Sequence, residues 1–137
     1  MFKGVSAGAP QSRLIVSINP RRYREMKFYK LEDQVVISDK SLSVGEELVA
    51  NTTDAANEKH VPVISQDGNT VTVCVGSVEH PMLPEHFIGW VLLETECGFQ
   101  IHYLKPGMKP EAVFEVNEKV VAAYEYCNLH GLWKATV

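Results

Sequence analysis

From Met26 to the C-terminus, short runs rich in Val, Ile, Tyr and Phe recur between turn signals, and no window of helical period is long enough to compete with them. A period of two places successive side chains on opposite faces, so runs of this kind bury their apolar face only by packing sheet on sheet. The pattern predicts strands near residues 26 to 31, 34 to 38, 44 to 50, 61 to 66, 70 to 78, 86 to 95, 99 to 104, 111 to 116, 119 to 127 and 132 to 136. Asp67-Gly68-Asn69 and Glu96-Cys97-Gly98 mark hairpin turns, and residues 51 to 57 have room for one helical turn. Strands this short and this numerous predict an all-β fold, an immunoglobulin-like antiparallel β-sandwich occupying one domain over residues 26 to 137.

Strand reversal turns this pattern into a statement about a site. If each strand from His60 onward runs opposite to the last, the chain leaves one end of the sandwich at His60, turns at the far end at residues 67 to 69, and is back by Val78. The loop holding His80 and His86 then lies at the same end as His60. Two further reversals return the chain there at Leu104, so Lys105 to Pro110 is expected to rim that end, and two more bring in Cys127 and His130. Five soft or borderline donors from three separate segments thus meet at one end. His102 is mid-strand without a partner and reads as a packing or surface residue. Cys74 lies opposite the valines of Val71-Thr72-Val73-Cys74-Val75 and reads as an ordinary strand residue, while Cys97 sits in a far-end turn, too distant to be a ligand.

The donor set narrows the metal. Four neutral imidazoles and one thiolate exceed the four ligands of a structural zinc. A blue-copper site wants two His, one Cys and a weak axial Met after the last His, whereas Gly131, Leu132 and Trp133 come after His130. Iron fits better, because five donors leave one octahedral position open for a small ligand. Trp90 and Trp133 read most simply as core residues, with a second reading in which they shield the sulfur from water.

The segments Glu58-Lys59-His60-Val61-Pro62-Val63-Ile64, Val75-Gly76-Ser77-Val78-Glu79-His80-Pro81-Met82, Glu85-His86-Phe87-Ile88-Gly89-Trp90 and Cys127-Asn128-Leu129-His130-Gly131-Leu132-Trp133 closely resemble superoxide reductase, the neelaredoxin and desulfoferrodoxin family. The resemblance runs in order through residues 26 to 137. It implies that His60, His80, His86 and His130 match the family's equatorial iron ligands, that Cys127 matches its axial thiolate, and that Glu58 and Lys59 match the Glu and Lys preceding the first ligand. The implied activity is one-electron reduction of superoxide to hydrogen peroxide at ferrous iron, without release of dioxygen. An electron donor such as rubredoxin and a dimeric or tetrameric assembly are further family expectations. Met26 to Asp33 looks like the start of the rubredoxin-like domain of two-iron members, but its cysteines are absent, so one iron per chain and no second rubredoxin-type centre are expected. The alternative class is a non-catalytic metalloprotein such as a cupredoxin-like electron carrier.

Charge and cysteine usage bear on partners and compartment. The net charge is −4, and residues 1 to 25 carry Lys3, Arg13, Arg21, Arg22 and Arg24 against Glu25 alone, so the acidic excess lies in the remainder. An acidic body argues against nucleic acid. Three cysteines are too few and too odd in number for a disulfide framework, which favours a reducing compartment such as the cytoplasm. No apolar run approaches the ~20 residues of a membrane span. Residues 1 to 25 read either as an organelle-targeting peptide or as a dispensable extension.

Overall fold

The computed structural model describes residues 25 to 137, so the expectations for the N-terminal extension fall almost wholly outside the described residues. These residues form two compact units that divide between Glu47 and Leu48. In the first, β1 (Lys27–Leu31) pairs antiparallel with β2 (Gln34–Ser38), with Glu32 in a left-handed conformation (φ 58°) at the turn. β3 (Glu46–Leu48), at whose end the division falls, lies on the other side of β1. The Tyr29 hydroxyl accepts a hydrogen bond of 2.9 Å from the Leu42 N–H, and Lys27 approaches Glu47 at 4.0 Å. One sandwich running from residue 26 is the sequence expectation; in the structure β1, β2 and β3 make a sheet of their own, and the sandwich is built by the strands from Pro62 onward. β1, with a neighbour on each edge, is the central strand of that sheet.

The second unit holds β4 (Pro62–Asp67), β5 (Thr70–Val75), β6 (Ile88–Thr95), β7 (Gly98–Tyr103), β8 (Glu111–Glu115), β9 (Val120–Cys127) and β10 (Gly131–Thr136). A four-stranded sheet in the order β10-β9-β6-β7 and a three-stranded sheet in the order β4-β5-β8 are antiparallel throughout. Strict alternation along β5 turns Val71, Val73 and Val75 inward and Thr70, Thr72 and Cys74 outward, as the sequence pattern predicts. Ala112 and Phe114 extend that inner face, and Ile88, Val91, Leu93, Ala123 and Cys127 belong to the same buried cluster. β6 and β9, the central strands of their sheet, are buried along nearly their whole length, Glu94 and Glu125 included.

β4, β6 and β10 begin at the end where β5, β7 and β9 finish, which gathers the ligand-bearing segments there. The Gly107 N–H donates to the Met82 carbonyl at 2.9 Å, which ties the Lys105 to Pro110 segment to that end. The helical turn is displaced from its expected place: α1 covers Asn57–His60 rather than residues 51 to 57. Asn51 is drawn instead into the edge of β10. Its backbone N–H donates to the Leu132 carbonyl at 3.0 Å, its carboxamide bonds Lys134 on both sides at 3.0 and 2.8 Å, and it takes a left-handed φ of 64°. A residue held in this way is unavailable to a helix.

Candidate metal centre

Each donor is placed by a different local device. His60 closes α1, where the Val61 N–H donates to the Asn57 carbonyl at 2.9 Å. The segment after β5 cradles that turn: the Val78 N–H donates to the Glu58 carbonyl at 2.9 Å, the Ser77 hydroxyl bonds the same oxygen at 3.3 Å, and His80 is held by its own N–H on the Val75 carbonyl at 2.9 Å. Gly76 allows this approach, since a Cβ there would lie 2.7 Å from the Glu58 carbonyl oxygen and 3.1 Å from the His60 nitrogen. His86 ends the tight turn Leu83-Pro84-Glu85-His86, whose two ends exchange backbone hydrogen bonds of 2.9 and 3.0 Å. Cys127 is the last residue of β9, and His130 lies in the turn to β10, which Gly131 completes at a φ of 81°.

These devices bring the donors together. The ligand atoms of His60, His86, Cys127 and His130 all lie within 4.8 Å of one another. His80 stands at the edge of that group, with its Nε2 at 3.3 Å from the His60 Nε2 and its ring 4.6 Å from that of His86. His60 Nε2 is also 3.1 Å from His130 Nδ1, which in turn is 3.8 Å from the Cys127 sulfur. His102 stands apart, stacked on Phe114 at 4.3 Å between ring centroids.

The outer bonds set the tautomers. His60 Nδ1 lies 2.8 Å from the Ala56 carbonyl and His80 Nδ1 lies 2.7 Å from the Pro81 carbonyl, so each Nδ1 carries the proton and donates it. Each Nε2 is then a bare acceptor, and two acceptors facing one another at 3.3 Å have no hydrogen between them. The His86 Nε2 is likewise buried without a hydrogen-bond partner. Lone pairs converging in a buried place are what a cation satisfies, and four imidazoles with one thiol form a borderline-soft donor set. The residues present therefore fit a transition metal.

Trp133 braces two donors at once. Its ring stacks on His60 at 4.8 Å, and its indole N–H donates to the His130 carbonyl at 3.1 Å. The simple core reading of Trp133 is thus incomplete, although its near-complete burial agrees with it. Glu58 and Lys59 project from α1 as exposed side chains beside the donors. The charge of Lys59 acts on His86 and that of Glu58 on His60. Glu125, fully buried on β9 two residues before Cys127, has both carboxylate oxygens unpartnered, and burial pushes its pKa well above the ordinary value. Its position in an otherwise apolar run carries no sequence signal of that environment.

Burial lowers the pKa values of His60, His80 and His86 below the ordinary 6.5, that of His80 to about 4, and their mutual repulsion adds to the shift. Burial raises the Cys127 thiol, against which the backbone N–H groups of Leu129 and His130 act. A histidine with a depressed folded-state pKa takes up its proton more readily when unfolded, so its contribution to stability is present above the unfolded value and is lost as pH falls through it. The histidines should therefore cost the metal-free chain stability as pH drops from about 6.5 towards 4, whereas Glu125, whose raised carboxyl keeps its proton in the folded chain and loses it on unfolding, contributes in the opposite sense until pH falls below the ordinary carboxylate value. Thermal unfolding of chelator-treated Glu125→Gln protein across that range isolates the histidines, and a midpoint that stays level or rises on acidification would contradict the assignment of neutral imidazoles.

Residues 52 to 136 match the family model described as Desulfoferrodoxin. The protein named desulfoferrodoxin from Clostridium acetobutylicum is 56% identical over 90 residues, which cover 66% of this chain and 71% of that protein. The protein named superoxide reductase from Pyrococcus abyssi is 36% identical over 104 residues, covering 61% of this chain and 90% of that one. Among solved structures, the superoxide reductase from Treponema pallidum superposes with a TM-score of 0.75 at 39% identity, covering 82% of this chain and 100% of that chain. Among the described residues no helix is long and apolar enough to cross a membrane.

Proposed function

The chain belongs to the desulfoferrodoxin family, and from that premise we propose that it reduces superoxide to hydrogen peroxide at one iron held by His60, His80, His86, His130 and Cys127. One observation carries this reading: ring nitrogens stripped of their protons by outer hydrogen bonds converge with a buried thiol at a single point. When bound, iron supplies the single electron, cycling between its ferrous and ferric states, and two protons complete the conversion of superoxide to peroxide. His60 and His80 present their Nε2 atoms because Ala56 and Pro81 hold their Nδ1 protons. Cys127 enters as thiolate, so it gives up a proton on loading, and the N–H groups of Leu129 and His130 offset the cost of its burial.

Lys59 draws the superoxide anion to the mouth, and Glu58 is the carboxylate placed to close the site once peroxide has left. An electron donor such as rubredoxin restores the ferrous state, and the chain works as a homo-oligomer in a reducing compartment. Titrating ferrous iron into metal-free protein tests the reading: one iron should bind per chain, and superoxide consumption should rise in proportion to it. Two irons per chain, or copper in place of iron with no reaction towards superoxide, would overturn it.

The local charge sets the sign of a salt effect. Ferrous iron with four neutral imidazoles and one thiolate carries a net positive charge, to which Lys59 adds, while the net −4 of the whole chain is spread over its surface. Beyond a Debye length of ~10 Å at 0.1 M salt that spread charge is screened. Added salt should slow the reaction of superoxide with the ferrous protein, and Lys59→Ala should lower both the rate and its salt dependence. Stopped-flow rates against ionic strength decide this, and a rate that rises with salt would show repulsion by the acidic body instead.

A further inference from the structure

The outer bonds that orient His60 and His80 have no counterpart on the ring of His86. Carbonyls hold the Nδ1 atoms of those two, whereas among the described residues no hydrogen bond orients the His86 ring, whose buried Nε2 is left for the donor cluster. The place of His86 therefore depends on its backbone, and one residue grips that backbone on both sides. The Asn128 carboxamide nitrogen donates to the Glu85 carbonyl at 3.1 Å, and its carboxamide oxygen accepts from the Phe87 N–H at 2.9 Å. The backbone N–H of Asn128 donates to the Phe87 carbonyl at 3.2 Å.

The β6–β9 ladder pairs Ile88 with Cys127, and the backbone bond of Asn128 carries it one step further. Beyond that step the Asn128 side chain stands in for a peptide unit, with one donor and one acceptor spaced to meet the residues on either side of His86. Asn128 is also the immediate neighbour of Cys127. We infer that Asn128 is a positioning residue, which locks His86 onto the turn that carries the thiolate and so keeps the fourth imidazole in the metal's ligand set.

This inference rests on the metal-centre reading. It predicts that Asn128 acts on the metal only through His86, as two coupled sites in contact would. Outer-shell partners of metal ligands are typically worth ~10- to 100-fold in affinity. The experiment is a double-mutant cycle on ferrous iron affinity, measured by chelator competition with the parent chain, Asn128→Ala, His86→Ala and the double variant. Asn128→Ala should weaken iron by ~10-fold or more in the parent, and by less than about twofold when His86 is already alanine. Asn128→Asp keeps the acceptor for Phe87 but sets an oxygen against the Glu85 carbonyl, so it too should weaken iron, with the same dependence on His86; it carries the cycle if the alanine variant does not fold. An unchanged affinity in Asn128→Ala, or an equal loss with and without His86, would overturn the positioning role. A parent chain that binds iron no better than His86→Ala would overturn the metal-centre reading itself.

Discussion

On the proposed function, Cys127→Ser should abolish most of the superoxide consumption, by on the order of 100-fold or more, even where iron stays bound. The sulfur is buried, which pushes its thiol pKa up, and the backbone N–H groups of Leu129 and His130 act against that rise. Serine at that position offers a hydroxyl that does not ionise near neutral pH, so the ligand set loses its negative charge and its electron-rich donor. The loss of that charge weakens the metal, and the loss of the thiolate push slows release of product. Iron content and superoxide decay, measured on the same sample, separate the two effects. The absorption band from thiolate to ferric iron should vanish as well. A Cys127→Ser protein that keeps iron and consumes superoxide at the parent rate would remove Cys127 from its assigned role.

His60→Ala should cost at least ~100-fold in iron affinity, more than an outer-shell change, because it deletes the donor at the middle of the group. His60 lies 3.1 Å from His130 and 3.3 Å from His80 through the same nitrogen, and its ring is the surface on which Trp133 stacks. The substitution therefore also opens a void beside a buried indole and strips the Ala56 carbonyl of its donor. His102→Ala is the control, since His102 stacks on Phe114 away from the cluster and should leave iron affinity at the parent value. Iron retained by the His60 variant, or lost from the His102 variant, would show that the donor set is wrongly drawn.

The ends of the strands were legible in the chain because a period of two is a direct record of which side chains face the core. Val71, Val73 and Val75 point inward while Cys74 points out, and the same alternation, traced through each reversal, carries His60, the His80 to His86 loop, and the Cys127 to His130 turn to one end. What the pattern does not record is bonding between segments far apart in sequence. Asn51 reads as the first residue of a helical turn over 51 to 57, but the edge of β10 claims it and the helical turn falls at Asn57–His60. Asn128 carries no sign of its role in the sequence, whereas in the structure its side chain spans the residues flanking His86, 41 to 43 positions earlier. Trp133 obeys the same logic: its apolarity predicts burial, but its stacking on His60 comes from the fold. The first sheet is a further case, since β1 to β3 read as strands in the sequence but nothing in their residues says which sheet they join.

The measurement that bears most directly on the central claim is the product ratio when ferrous-loaded protein, kept reduced by an excess of donor, meets a known amount of superoxide. Peroxide and dioxygen are quantified together. A reductase centre built from His60, His80, His86, His130 and Cys127 predicts one hydrogen peroxide for each superoxide consumed and no dioxygen above background. Half a peroxide and half a dioxygen per superoxide, the ratio of a dismutase, would contradict it.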